Sequence, residues 1–202
     1  GASFQFDDWN VIVRDPRVQS LGAWLASMPG IRPLLKLSYA ANHALGGDPA
    51  AFRALNVAVH ALNAVLVLRL LTTLGRRLGW PAADAVLAAA TGAIVFALHP
   101  VQTEAVTYVS GRSSSLSASL ALLALLAWLR GLDAADEARW RWISFGLFVA
   151  ALGVKEPVAV LPLAMAAWLV ATRASASIPR RVAPHLLLVG GLALAMLAWP
   201  PD

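Results

Sequence analysis

The sequence predicts an all-α, polytopic helical membrane protein with about six spans and an external N-terminal segment carrying interfacial helices. Three observations point there. Of 202 residues, 59% are hydrophobic and only 13% are charged, about half the charge of an ordinary soluble domain, which carries roughly 25%. The mean hydropathy is +0.67. Several apolar runs approach the roughly 20 residues a helix needs to cross a bilayer. Together these exclude a soluble globular domain, a disordered tail and a fibrous repeat. The absence of cysteine also excludes disulfides, thiolate nucleophiles, iron–sulfur clusters and cysteine zinc sites.

The chain divides into an external segment, residues 1–50, and a transmembrane bundle, residues 51–202. Within the bundle the apolar runs place spans at 52–74, 85–98, 116–129, 143–154, 158–171 and 184–199. The third, opening at Leu116, has no soluble reading. The fourth and fifth are short and separated only by Lys155-Glu156-Pro157, so a re-entrant hairpin or one bent helix pair is the alternative there. The connections alternate in charge. Arg69, Arg76 and Arg77 follow the first span, Arg130, Arg139 and Arg141 the third, and Arg173, Arg180 and Arg181 the fifth. The two intervening loops hold Arg112 and Lys155 alone. Nine basic residues against two puts the arginine loops in the cytoplasm and residues 1–50, 99–115 and the Lys155 turn outside. The net charge of +5 then reflects topology, and no nucleic-acid partner is called for. Arginine and alanine richness suggest a bacterial source, hence an inner membrane with residues 1–50 in the periplasm.

An external segment of 50 residues needs a helix to carry it across. Gly1 is not an initiator methionine and no signal peptide precedes it, so an earlier transmembrane helix is expected in the gene product. The end at Pro200-Pro201-Asp202, where the sixth span emerges, also reads as a piece of a longer protein. Within the segment, Val18, Leu21, Trp24, Leu25 and Met28 recur at helical spacing. They predict a short amphipathic helix lying in the interface, with Trp24 at headgroup depth. A second helix is expected from Pro33, a favoured first-turn residue, to Leu45, with Gly46-Gly47 ending it.

Four features could carry chemistry. Asp7 and Asp8 are adjacent carboxylates between aromatic residues, and low-dielectric surroundings would make either a better base; Asp8 is slightly preferred. A solvated loop is the alternative. His99 and Glu104 stand at the outer end of the second span, at a spacing that argues against zinc. Arg112 and Lys155 are lone cations where a lipid phosphate would sit, or else snorkel to the interface. Ser113, Ser114 and Ser115 read as a helix N-cap. Finally, Arg53, Asn56, His60 and Asn63 form one polar stripe on an apolar helix, which must turn inward as interhelical glue or as a cavity lining.

The order of these pieces is more specific than any one of them. Phe4-Gln5-Phe6-Asp7-Asp8, then Arg32-Pro33-Leu34, Ser38-Tyr39 and Asn42-His43, then Leu45-Gly46-Gly47-Asp48-Pro49 with Phe52, Asn56 and His60, resembles the GT-C glycosyltransferases. Within that superfamily the chain is most similar to the transmembrane and tetratricopeptide-repeat O-mannosyltransferases and their bacterial relatives. His99-Pro100-Val101-Gln102-Thr103-Glu104, Gly111-Arg112 and Val154-Lys155-Glu156 agree, so the likeness covers residues 4–165. Gln102 departs from a common histidine, Trp9 replaces a histidine or glutamate, and no repeat domain is present.

The resemblance implies a membrane glycosyltransferase, or its N-terminal membrane part, that moves a sugar from a polyprenyl-phosphate donor to a protein or glycan hydroxyl on the outer face. It implies Asp7 or Asp8 as the catalytic base, Arg32, Arg112 and Lys155 on the donor phosphate, and His99, Glu104 and Glu156 shaping the loops. No cofactor is certain; a divalent cation near Asp7 and Asp8 is compatible with the family, though many relatives work without one. Membrane lipids and a protein acceptor, or partner membrane subunits, are the other expected partners. The competing reading is a non-catalytic membrane subunit derived from the same family. A transporter is disfavoured by the lack of internal repeats and of paired helix interruptions.

Overall fold

Proline and carboxylate caps start most of the helices. The computed structural model describes residues 3–28 and 30–198, which are helical or in turns, with no strand among them. Two tight helical turns, Trp9–Val13 and Pro16–Val18, precede α1 (Leu21–Ala26). Next come α2 (Pro33–Ala44), α3 (Pro49–Arg77), α4 (Ala82–Leu98) and α5 (Thr103–Thr107). The remaining helices are α6 (Arg112–Gly131), α7 (Glu137–Leu152), α8 (Leu161–Ala171) and α9 (Ile178–Ala198). Asp48 accepts the Ala51 N–H at 2.7 Å ahead of Pro49, and Asp136 accepts the Arg139 N–H at 3.0 Å. Each satisfies an amide that the helix itself leaves unpaired. Pro33 opens α2 as expected, and Gly46 and Gly47 close it at φ +141° and +67°, values a side chain would resist.

α3 is the spine, packing along both α4 and α6, while α6 also packs along α7 and α8 packs against α9. Two hydrophobic cores result. One joins the N-terminal segment to the helix starts through Ile12, Val18, Leu35, Tyr39, Phe52, Val109 and Val154. The other, among Trp128, Leu129, Met165, Leu169 and Val182, ties the far end of α6 to α8 and α9. Fully burying one such Leu or Phe is worth about 1.5–3 kcal/mol.

The expected six spans are reduced. Two helices, α3 with 29 residues and α6 with 20, are long and apolar enough to cross a membrane. A third arises if α4 and the segment Pro100–Thr107, bent from it by 51°, count as one span. The reason is length: at about 1.5 Å per residue, α7 with 16 residues and α8 with 11 fall short of the roughly 30 Å of hydrocarbon. In α9, Arg180, Arg181 and His185 fall among the first eight residues, leaving a short apolar remainder. The Lys155 turn is a bend between helices, with a tight turn at Glu156–Val160 leading into α8.

Other local expectations also change. The interfacial helix contracts to the six residues of α1, with Leu21, Leu25 and Met28 exposed. Trp24 is tied inward, donating from Nε1 to the Pro33 carbonyl at 2.8 Å. Ser113, Ser114 and Ser115 sit inside the first turns of α6, whose cap position is Gly111, and make no cap bond. Gly1, Pro29, Trp199 and the Pro200-Pro201-Asp202 end lie outside the described residues.

Candidate functional site

The polar stripe of α3 turns inward and builds the most heavily bonded part of the molecule. Asn63 donates to the Ser115 carbonyl at 2.8 Å and accepts from Ser119 Oγ at 2.6 Å. His60 Nε2 is 3.1 Å from the Ala97 carbonyl oxygen, and its ring stacks on Phe96. Asn56 is fully buried and its Nδ2 donates to the Tyr108 carbonyl at 2.8 Å. Arg53 reaches the Ser3 carbonyl at 2.6 Å.

Asn56 also accepts from Arg112, and this changes the part expected of that arginine. Arg112 is fully buried and the largest side chain so enclosed. Its Nε donates to Asn56 Oδ1 at 2.8 Å, and Nη1 to the Ser38 carbonyl at 3.1 Å. Nη2 donates to Asn42 Oδ1 at 2.8 Å and to the Phe52 carbonyl at 2.9 Å. The guanidinium carbon lies 5.1 Å from the Tyr39 ring centre and 5.2 Å from that of Phe52. Four of the five N–H donors of the group are therefore used, and aromatic faces cover the cation. Arg112 binds α2, α3 and α6 together; it is not a cation waiting at the membrane surface.

The adjacent carboxylates part company. Asp8 is fully buried. Its Oδ1 accepts from the Ser110 N–H at 2.8 Å, and its Oδ2 from Gln5 at 3.1 Å and Val109 at 3.4 Å. It fastens the N-terminal segment to the loop ahead of α6. That loop runs close to α5: a Cβ on Gly111 would stand 2.6 Å from the Glu104 carbonyl oxygen. Asp7 points the other way, exposed, into a cleft of about 540 Å³ lined also by Gln5, Glu104, Thr107, Tyr108 and Ser110. Glu104 is thus brought beside Asp7. His99 is outside this lining; its Nδ1 accepts the Val101 N–H at 3.2 Å and caps the turn there. Among the described residues no three His, Asp or Glu side chains converge as a metal set. Asp8 is committed to amide donors, which leaves Asp7 and Glu104 as the carboxylates that line the cleft among the described residues.

Two of the three expected phosphate ligands come together. Arg32 forks onto Glu156 at 2.9 and 2.7 Å, and Lys155 donates to Ser114 Oγ at 2.7 Å. Arg32 holds φ +53°, unusual for a non-glycine residue and doubly so before proline. The Glu156 fork and the bond from Leu34 N to the Gly153 carbonyl at 3.1 Å hold it there. Arg32 also lines a cleft of about 300 Å³ with Asn10, Asp15, Arg17 and Lys36, which the sequence reading missed. Burial raises the Asp15 carboxyl, but the fork from Arg17, with the Arg17 and Lys36 charges, outweighs it and holds the group below its usual range. Burial, with the neighbouring Arg17 charge, lowers the Lys36 ammonium despite Asp15 at 4.0 Å. The sequence signal for this cleft was the recurrence of cations at 14, 17, 32 and 36 around two proline turns.

Comparison with known proteins bears out the family resemblance. The chain is 35% identical over 157 residues to Protein O-mannosyl-transferase Tmtc2 of Drosophila melanogaster, covering 75% of this chain and 15% of that protein. It is 29% identical over 150 residues to Protein O-mannosyl-transferase TMTC3 of Homo sapiens, 74% of this chain and 14% of that one. With Protein O-mannosyl-transferase TMTC4 of Homo sapiens the identity is 28% over 181 residues, 75% and 24%. No family model matches, and no solved structure matches. The chain thus spans less than a quarter of the length of these relatives, and it belongs to the protein O-mannosyl-transferase family that they represent.

Proposed function

We propose that this relative of the protein O-mannosyl-transferases is the N-terminal membrane part of an enzyme that transfers a sugar from a polyprenyl-phosphate carrier to a protein hydroxyl. The reaction runs on the face of the membrane that holds residues 1–50, which is the outer, periplasmic face of a bacterial inner membrane. The excess of arginine at the opposite ends of the helices supports that orientation. Residues 51–202 form the bundle, completed to more spans by the rest of the protein.

The observation that carries the reading is the division of the acidic pair. Asp7 stands exposed in a polar cleft beside Glu104, whereas Asp8 is buried on three backbone amides. Both Asp8 oxygens are enclosed and taken up by amide donors, so an acceptor hydroxyl cannot reach them, whereas the Asp7 carboxylate opens onto the cleft within reach of one. Asp7 is accordingly the base. It accepts the proton of the acceptor hydroxyl as that oxygen bonds to the anomeric carbon. The bond from that carbon to the carrier phosphate breaks, and the phosphate leaves with the electron pair. Lys155, beside the start of α6, and Arg32, with Arg17 and Lys36 lining the second cleft, are the cations assigned to take up the charge on the leaving phosphate. Glu156 orients Arg32, and His99 and Glu104 shape the rim. Arg112 positions the helix starts beneath.

The test is sugar transfer from a polyprenyl-phosphate donor by the full-length gene product. Asp7→Asn is expected to cut turnover by about 10²–10⁴-fold, the usual loss for a general base, with donor affinity nearly unchanged. Lys155→Ala is expected to raise the apparent KM. Wild-type-like turnover in Asp7→Asn removes the assignment. A parent protein that binds donor but transfers nothing favours the non-catalytic subunit.

A further inference from the structure

At the opposite end of the bundle, α3, α6 and α7 enclose a groove of about 690 Å³. Its floor and walls are apolar, with Leu66 from α3, Leu123 and Leu126 from α6, and Leu147 from α7. Its mouth is basic: Arg69, Arg77 and Arg130 stand there beside the indole of Trp140. No carboxylate lines the groove among the described residues. Arg77 is already engaged, since it forks onto Asp133 and donates to the Leu129 carbonyl. Arg69 and Arg130 are exposed and have no ion-pair partner among the described residues. The Arg130 guanidinium lies 4.5 Å from the Trp140 ring centre, so a cation–π contact holds the charge at the mouth. Tryptophan is also the side chain that favours headgroup depth.

The arrangement along the axis follows from helix direction. α3 and α6 descend toward the mouth and α7 rises away from it, so all three place apolar residues on one side of their basic or aromatic ones. From Leu123 to Arg130 the helix rises about 10 Å, which lies within the roughly 15 Å of hydrocarbon in one leaflet.

We propose that this groove holds one anionic phospholipid of the arginine-side leaflet, with an acyl chain against Leu66, Leu123, Leu126 and Leu147 and the phosphate between Arg69 and Arg130. Charge selects this occupant. An apolar floor suits any lipid tail or helix, but two unpaired guanidiniums without a carboxylate repel a basic helix end or a helix N-terminus and match a phosphate diester, whose full negative charge accepts several N–H bonds at once. Basic pockets between membrane helices on the positive side bind anionic headgroups for the same reason. The site is remote from the Asp7 cleft and does not depend on the reading of that cleft.

The test is lipid retention by the full-length protein in detergent, read by native mass spectrometry after incubation with equal phosphatidylglycerol and phosphatidylcholine. Wild type is expected to retain phosphatidylglycerol in preference by about tenfold or more, because each engaged cation favours the anionic headgroup. Arg69→Gln with Arg130→Gln is expected to bring the ratio near one with an unchanged melting temperature, and the double lysine variant to restore most of it. Leu126→Trp, which fills the groove, is expected to reduce retention of both lipids. Equal retention by wild type, or an undiminished preference in the double glutamine variant, overturns the proposal. So does a photo-crosslinker at position 126 that captures a protein segment instead of lipid.

Discussion

Arg112 at one end of this bundle and Arg69 and Arg130 at the other are handled in opposite ways. At the end that carries Asp8, Arg112 is fully enclosed and donates only to neutral oxygens and aromatic faces. At the other end Arg69 and Arg130 are exposed at a groove mouth, and Arg180 and Arg181 meet Glu137 at 2.8 and 3.2 Å. A buried guanidinium with every acceptor pre-placed fixes geometry, because any loss leaves several unsatisfied groups where water cannot reach them. An exposed one fixes little and stays available to a ligand or to solvent. Burial and partner type, more than residue identity, decide whether a cation is structure or site.

The sharpest way to break this contrast is Arg112→Ala. It would strand Asn42 and Asn56 and the carbonyls of Ser38 and Phe52, and hydrogen bonds to a charged group are worth about 1.5–3 kcal/mol each. With partial compensation the expected loss is about 3 kcal/mol or more, seen as a collapse of the thermal unfolding midpoint in detergent. Arg130→Ala, by comparison, should stay within about 0.5 kcal/mol of wild type, as is usual for surface positions. A stable Arg112→Ala variant with only a raised donor KM would return Arg112 to the phosphate site.

Asp8→Asn comes next in size. The amide keeps one acceptor oxygen but turns an NH₂ group toward backbone donors at Val109, Ser110 or Gln5. Leaving a buried donor unsatisfied costs about 1–3 kcal/mol. The loop at 108–110 should then exchange its amide hydrogens faster, whereas Asp7→Asn should leave that exchange unchanged. Equal protection in the two variants would show that the pair is not divided.

Asn63→Leu tests the middle of the stripe, between the two ends. It removes the bonds to Ser115 and Ser119, and interhelical polar contacts of this kind are worth about 0.6–2 kcal/mol. A neutral or stabilising result, read as the unfolding midpoint, would mean that packing alone holds α3 to α6.

Local chemistry was legible where the sequence has a short-range signal. Pro33 and Gly46-Gly47 mark the bounds of α2, and the spacing of Asn56, His60 and Asn63 places them on one inward face. Long-range partners carry no such signal. Nothing near Arg112 in the chain says that Asn42 and Asn56, 70 and 56 residues away, will surround it, so a lone cation reads as a surface one. Hydropathy likewise overcounts spans, because an apolar run of 11–17 residues is buried equally well against neighbouring helices or in lipid. The division of Asp7 from Asp8 was illegible for a third reason: adjacent residues in a tight turn face different ways, and only the contact with residues 109 and 110 says which.

The smallest expected effect is the acid sensitivity of the Arg32–Glu156 ion pair, which joins the N-terminal segment to the Lys155 turn. The Arg32 fork, chiefly through its hydrogen bonds, holds the Glu156 carboxyl below its usual range against the opposing effect of burial. A carboxyl whose folded value is depressed binds its proton less readily in the folded state than in the unfolded one. Its contribution is therefore full above the ordinary glutamate range and is lost as pH falls through the lowered folded value. Both side chains are substantially open to solvent, 39% for Arg32 and 52% for Glu156, so screening keeps the effect small. Unfolding midpoints of wild type and Glu156→Gln should differ slightly near neutrality, converge under acid, and lose part of their difference in high salt. The Arg112 network contains no carboxylate and should show neither trend. If the Glu156 difference persists unchanged in acid, the fork holds Arg32 at φ +53° by shape alone, and the contrast between an acid-sensitive surface pair and a buried cation held by neutral acceptors fails at this end.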